Sequence, residues 1–386
     1  MPSSPRIALV YLARRAEGPA PLRRFVGSYA RHPAGIDHEL VVLYKGFEPG
    51  SALDEARSIF GSLPHIGLEM SDVGFDIGPY LAAAARLSHD YLCFVNTFVE
   101  IAVEGWLGHL HRNAALPGVG IVGATGSYES LRSSVQLSEK IRWLCNDVQI
   151  PYDERLVFYY DFVIDVRCRI WKARGAGQAY PAWEALLSRL KTTVWRHRGS
   201  ASFADVFRPA SRQASLDDQF ERHWNRLLGP GRILADYAQF PPFPNPHIRS
   251  NGFMVGRERL LESGFKAPDT KIGACVFESG ADSLTSRLRQ RGLRALVVDK
   301  HGRGYDVHDW SRSRTFRLSA QEHLLLHDKQ TRSFDLMPRG SQLALRRLTW
   351  GDYAGPPPGD FPDLGLRFPI DDTVTGIAAP LSAQAP

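Results

Sequence analysis

The sequence predicts an α/β fold: a mostly parallel sheet with helices on both faces, interrupted by a helical insertion. Three observations predict it. Short apolar runs of strand length alternate with segments of helical spacing from Arg6 to Val122. After Ser127 the alternation stops, and the chain to Tyr237 is helical in spacing, basic and rich in Trp. Beyond the proline-rich turn PPFPNP the strand–helix pattern resumes at Gly252. A separate second domain would not be followed by a return to the first pattern. Residues 128–240 therefore read as an insertion between two halves, 1–127 and 241–348, with a Pro- and Gly-rich tail over 349–386.

The elements follow in order. Arg6 to Ala13 (RIALVYLA) is continuously apolar, the pattern of a parallel strand buried on both faces. Leu22, Phe25 and Val26 give Pro21 to Tyr29 helical spacing. His38 to Tyr44 is the second strand, Leu53 to Phe60 a short helix, and Ile66 to Met70 a third strand. Ile77, Tyr80, Leu81, Ala84 and Leu87 share one helical face, with Pro79 in the first turn. Tyr91 to Val95 is the fourth strand; Trp106, Leu107 and Leu110 repeat the helical spacing; Val119 to Val122 is the fifth strand. After the insertion come a strand at Gly252 to Val255, helices at Glu258 to Ser263 and Ser283 to Gln290, and a strand at Arg294 to Val298.

Of the 386 residues, 44% are hydrophobic and 23% charged, enough for a core of ordinary size. No apolar run approaches the ~20 residues that cross a bilayer. The short N-terminal run is bounded by Arg6 and Arg14 and reads as a strand, not a signal peptide. Cys93, Cys145, Cys168 and Cys275 are far apart, which reads as reduced thiols in a cytoplasmic protein without a zinc site. The net charge of +6 is concentrated: Arg167 to Arg232 carries thirteen Lys and Arg against five Asp and Glu. Five of the eight Trp lie in the same insertion: Trp143, Trp171, Trp183, Trp195 and Trp224. Packing of a helical subdomain, docking on an anionic membrane face, and stacking of Trp on sugars are the three readings of that composition. No nucleic-acid-binding module is recognised.

The stretch Ser71 to Glu100 organises the chain. It reads as strand end, glycine turn, helix and strand, so its loops fall at the carboxyl edge of the sheet, where ligands bind in open α/β folds. Asp72 and Asp76 lie in the first loop, and Asn96 and Thr97 where the next strand runs out. Asp76 also stands where a helix N-cap would, and Asn96-Thr97 also reads as a plain strand end. His247, Arg249 and Asn251 follow the proline turn and line the same cleft in this reading. Glu278 and Asp282 are the acids nearest a second helix start, where a helix dipole would stabilise a carboxylate. His301, Asp306 and His308 (KHGRGYDVHDW) form a candidate metal cluster, with chance proximity among thirteen His as its rival. The first strand is followed by ARRAEGPAP, which excludes a Gly-rich dinucleotide turn.

Three pieces in order resemble nucleotide-sugar-dependent glycosyltransferases of the GT-A fold, family-2-type and rhamnan-synthesis enzymes in particular. They are GFDIGPYLAA, DYLCFVNTFVEI, and SNGFMVGRERLLESGF followed by SLTSRLRQRG. Together they cover roughly 6–127 and 244–300; the insertion lies outside them. The resemblance implies transfer of a sugar from a nucleotide sugar to a glycan or lipid-linked acceptor. Bacterial surface polysaccharide synthesis, inversion, and a cytoplasmic or peripheral inner-membrane location go with it. It implies donor binding by Asp72, Asp76, Asn96, Thr97, Arg249 and Asn251, an acceptor side with His247 and Lys271, and a general base at Glu278 or else Asp282. It implies a divalent cation, Mg²⁺ or Mn²⁺, on an Asp-x-Asp motif, with His308 as a late ligand. Here the triplet is Asn96-Thr97-Phe98, so the donor diphosphate is met by a cation, by basic side chains such as Arg249 or Lys271, or by helix N-termini. That departure keeps a second class open: a catalytically degenerate nucleotide-sugar-binding or scaffold subunit.

Overall fold

The first apolar run forms β1 (Ile7–Arg14), and its alternate side chains enter two different cores. Ala8, Val10 and Leu12 face one layer of helices; Ile7, Leu9, Tyr11 and Ala13 face the other. This is why the run is continuously apolar: the side-chain period of two puts every residue against protein on one face or the other. The computed structural model describes residues 5–147, 211–232, 234–337 and 339–355.

The first half continues through α1 (Pro19–Arg31), β2 (Glu39–Lys45), α2 (Ser51–Phe60), β3 (Ile66–Met70), α3 (Ile77–Arg86) and β4 (Tyr91–Val95). Then come β5 (Glu100–Ile101), α4 (Trp106–Ala114), β6 (Val119–Gly123) and β7 (Gly126–Ser127). The described parts of the insertion are α5 (Leu131–Asp147) and α6 (Ser211–Leu228). The second half holds β8 (His247–Ile248), β9 (Gly252–Gly256), α7 (Arg257–Glu262), α8 (Lys271–Ser279), α9 (Leu284–Gln290), β10 (Arg294–Val298) and β11 (Gly304–Tyr305). After these follow β12 (Leu326–His327), α10 (Lys329–Asp335) and α11 (Arg339–Trp350).

The eight-stranded sheet has the order β11-β10-β6-β9-β4-β1-β2-β3. β1, β2, β3, β4, β6 and β10 run one way; β9 and β11 run the other. One face is covered by α3, α7, α8 and α9 through Tyr80, Leu260, Phe277 and Leu288. The other is covered by α1, α2 and α4 through Phe25, Phe60 and Leu107. The α/β sheet with helices on both faces is as the sequence predicts. The reversed sense of β9 is not legible there, because an apolar pentapeptide buried on both faces carries no direction. Its consequence is large. Gly252 starts β9 opposite Val95, which ends β4, so the segment before β9 lies at the carboxyl edge of the parallel strands.

The chain leaves the sheet at β7 and returns at β8, and the two strands pair antiparallel. Between them, Val135 of α5 and Phe220 and Trp224 of α6 form a third cluster with Tyr237 and Phe240. It packs on Ile272, Cys275 and Val276 of α8. The middle of the insertion, with Trp171, Trp183 and Trp195, and the tail beyond Gly355 lie outside the described residues. The sequence-based tail boundary at 349 is too early. Trp350 is fully buried, its ring centroid 4.9 Å from that of Tyr128, and a 3-10 turn follows it at Gly351–Ala354. No helix among the described residues is long and apolar enough to cross a membrane.

Candidate active site

Four strands end along one edge of the sheet, and each delivers a polar side chain there. β1 ends in Arg14, β2 in Lys45, the loop after β3 carries Asp72 and Asp76, and β4 is followed by Asn96. The loop between β3 and α3 is shaped by glycine. Gly74 has φ +76° and Phe75 φ +52°. A Cβ on Gly74 would lie 2.8 Å from the Gly78 Cα, so the loop closes onto its own helix start only because Gly74 has no side chain. That turn presents Asp72 and Asp76 on either side of Phe75.

Asp72 is exposed and ion-paired to the buried ammonium of Lys45. The Lys45 hydrogen bond holds the Asp72 carboxyl below the usual range. Asp76 stands at the N-cap position of α3, as expected, but its side chain makes no capping hydrogen bond. Its carboxylate instead faces Arg14, with Oδ1 3.9 Å from Nη1. Burial raises the Asp76 pKa above the ordinary value, against the pull of Arg14, Lys271 and Lys45; Glu278 pushes it further up. Asp76 and Glu278, two hundred residues apart in sequence, therefore share one electrostatic environment.

Glu278 departs from the sequence-based picture in one respect. It lies in the last turn of α8, not at a helix start. There the helix dipole disfavours a carboxylate, and other groups offset it. Oε2 accepts hydrogen bonds from the Ser250 backbone N–H at 2.6 Å and from the Ser250 hydroxyl. Burial would raise the Glu278 pKa, but His247, Arg249 and the two Ser250 bonds outweigh it and hold the group below its usual range. Beside it, Ser250, Thr285, Phe253 and Phe277 help to line a cavity of roughly 10 Å³, room for about one water. His247 is buried, and Nδ1 lies 2.8 Å from the Asn245 carbonyl. A proton on Nδ1 satisfies that carbonyl and leaves Nε2 as the basic nitrogen. Burial lowers the His247 pKa, against the pull of Glu278.

Several candidates occupy other roles. Thr97 is buried; its hydroxyl donates to the Leu12 carbonyl at 2.6 Å, and its own carbonyl accepts from the Tyr11 hydroxyl at 2.9 Å. It staples β4 to β1 and has no hydroxyl to offer a donor. Arg249 is buried as well, stacked 3.7 Å from the Phe316 ring centroid and paired at 3.0 Å with Asp328, which also accepts from Asn251 Nδ2. Arg249 and Asn251 are thus internal groups rather than open contacts for a diphosphate. The reason is Asp328, a buried carboxylate far along the chain. Asp282 is exposed and paired with Arg287. Lys271 is exposed at the first turn of α8, Nζ 5.7 Å from the Phe75 ring centroid. At the far end of the sheet Asp306 is taken by Arg294 and His308 by Asp309. The His301, Asp306 and His308 cluster does not assemble, and no group of three metal-ligating side chains occurs among the described residues.

The Asn96-Thr97-Phe98 triplet does not fit a divalent cation. Asn96 Oδ1 accepts from the Phe98 N–H at 3.0 Å, and the Thr97 hydroxyl points into the protein. Neither supplies the free, charged oxygen that such a cation takes.

Sequence reasoning missed Arg14, Lys45, Ser250 and Asp328. Lys45 ends a strand at the ligand edge, and Ser250 sits between two residues already singled out. Asp328 and Thr331, three apart, form a capping box at the start of α10. That spacing signals a helix start, and gives no hint that Asp328 also reaches Arg249.

No family model and no curated protein matches the chain. Among solved structures it is similar to mannosyltransferase PcManGT from Pyrobaculum calidifontis, in complex with GDP-Man and Mn²⁺. There the identity is 14%, the cover 32% of this chain and 36% of the other, and the TM-score 0.27. It is similar to mouse xyloside xylosyltransferase 1, apo form, at 13% identity, 35% and 58% cover and TM-score 0.26. Glucosyl-3-phosphoglycerate synthase from Mycobacterium tuberculosis, in complex with Mn²⁺, UDP and phosphoglyceric acid, gives 16% identity, 31% and 43% cover and TM-score 0.23. The chain spans less than two thirds of the length of each, and at these values it is the geometry of the site that bears on function.

Proposed function

We propose that this chain is a glycosyltransferase, moving a sugar from a nucleotide-sugar donor to a hydroxyl of a glycan or lipid-linked acceptor. The observation that carries the reading is Glu278 held by the Ser250 N–H and hydroxyl beside the carboxyl edge of the sheet, its carboxyl kept below the usual range. Glycosyl transfer with inversion needs one positioned carboxylate to take the acceptor proton as the hydroxyl oxygen attacks the anomeric carbon. The nucleoside diphosphate leaves with the bonding electrons. Glu278 is the group for that step; Asp282, exposed and paired, is the weaker choice. Asp72, Asp76 and Asn96 hold the donor, and Arg14 and Lys271 oppose the diphosphate in place of a cation. Surface polysaccharide synthesis in bacteria is the setting that the resemblance favours, with the basic insertion against an anionic membrane face.

A second reading has its own support. The spent triplet is what a retired transferase would keep if it survived as a nucleotide-sugar-binding scaffold subunit. A thermal-shift panel of UDP-, dTDP- and GDP-sugars finds the donor, since a ligand bound only by the folded form raises the melting point. Transfer and hydrolysis of that labelled donor, with and without EDTA, then decide. Turnover that survives EDTA supports the enzyme as drawn. Tight binding without turnover for any donor supports the scaffold.

A further inference from the structure

Arg249 and Asn251 flank Ser250, and both are bonded to the same carboxylate oxygen. Arg249 Nη2 lies 3.0 Å from Asp328 Oδ2, and Asn251 Nδ2 donates to that oxygen as well. The other oxygen, Oδ1, accepts from the Thr331 N–H at 2.7 Å, so Asp328 is itself anchored to the start of α10. Thr125 completes the frame: its hydroxyl lies 3.3 Å from Asn251 Oδ1, and the Arg249 N–H donates to its carbonyl at 3.2 Å. Between the two clamped residues only Ser250 is left to face outward from this network, and it donates twice to Glu278.

From this we infer that Asp328 is a positioning residue: by clasping Arg249 and Asn251 it fixes the Ser250 donors that orient Glu278. The inference rests on Glu278 being the carboxylate that matters in the proposed transfer. Asp328 has a second effect through charge. It neutralises the Arg249 guanidinium, which would otherwise act on Glu278 at full strength. The other groups that interact electrostatically with Glu278 are His247 from β8, Asp76 from the glycine loop, Tyr80 from α3, and Cys275 from its own helix. None of these touches Asp328 in the contacts above, so Asp328 acts through Arg249 and Ser250.

Two measurements on the full-length protein test this without any substrate, and so stand apart from the transferase reading. In Asp328→Asn the Ser250 amide should exchange with solvent roughly tenfold faster, one hydrogen bond's worth, while the amides of β1 keep their protection. Unchanged Ser250 protection, or an equal loss across β1, overturns the assignment. The second variant is Arg249→Met with Asp328→Leu, since replacing a buried ion pair by apolar residues of similar size often preserves stability. With selectively ¹³C-labelled Glu, assigned by Glu278→Gln, the Glu278 carboxyl should titrate at higher pH than in the wild type. Burial is then opposed only by His247 and a less firmly held Ser250. If Asp328→Asn does not fold, the double variant decides alone. A Glu278 titration unmoved in the double variant overturns the inference.

Discussion

The backbone N–H of Asn96 donates to the backbone carbonyl of Asn251 at 3.2 Å. That bond is where the two halves of the chain meet. Asn96 follows β4, a parallel strand of the first half, and Asn251 precedes β9, the reversed strand of the second. Ser250 and, through it, Glu278 are carried to the edge where Asp76 and Arg14 already stand. Each of the following expectations depends on that meeting.

Replacing Glu278 by Gln keeps the shape of the group and its contact with Ser250 but removes the charge that accepts a proton. Turnover of a labelled nucleotide sugar should fall by about 10²–10⁴-fold, with nucleotide binding in calorimetry nearly unchanged. Turnover like that of the wild type would take Glu278 out of the mechanism.

Thr97 and Arg249 should behave as structural residues, not as donor contacts. Thr97→Val leaves the buried Leu12 carbonyl without its donor, a loss of about 1–3 kcal/mol in urea unfolding. Arg249→Ala strands the Asp328 carboxylate and should cost about 3–5 kcal/mol. In whatever fraction of each variant remains folded, donor affinity should match the wild type. A selective loss of affinity at unchanged stability would return either residue to the donor site.

The glycine loop should be intolerant of a single methyl group. Gly74→Ala introduces a Cβ 2.8 Å from the Gly78 Cα at a positive φ. A cost of about 1–3 kcal/mol is expected from backbone strain, together with weaker donor binding as Asp72 and Asp76 are displaced. Affinity and stability both unchanged would mean that the loop does not hold the donor.

Acid should act on the two carboxylates with opposite consequences, because Asp76 is raised above its ordinary value of 3.8 while Glu278 is lowered from 4.5. Donor affinity that depends on the Asp76 charge should therefore weaken as pH falls toward and through that raised value, and Asp76→Asn should remove this limb. The stability effects have opposite signs. Glu278 and Asp328, both depressed, contribute stability that is present above their ordinary values and lost as pH falls through the folded ones. Asp76, raised, works against folding at neutral pH and is relieved on protonation. At pH 7, Asp76→Asn should raise the melting point and Glu278→Gln should lower it; shifts in the same direction would contradict the assignment.

Chelation should leave donor binding in place. Asn96 Oδ1 and the Thr97 hydroxyl are both occupied within the protein, so the cations at hand are Arg14 and Lys271. A donor-induced rise in melting point that disappears with EDTA would show that some other group holds a metal.

The sequence by itself determined the layered α/β fold, most strand positions and the loops that carry Asp72, Asp76 and Asn96. Those follow from local rules: a continuous apolar run must be buried on both faces, and a strand followed by a glycine turn and a helix must place its loop at the sheet's carboxyl edge. It also placed Glu278 among the candidates. Tertiary structure decided which side chains remain free there. Thr97 turns inward because the Leu12 carbonyl lies beside it on the neighbouring strand, and Arg249 is neutralised by a carboxylate seventy-nine positions away. Whether a polar side chain faces a ligand or another part of the chain depends on partners brought close only when the sheet closes, and spacing along the sequence does not encode them.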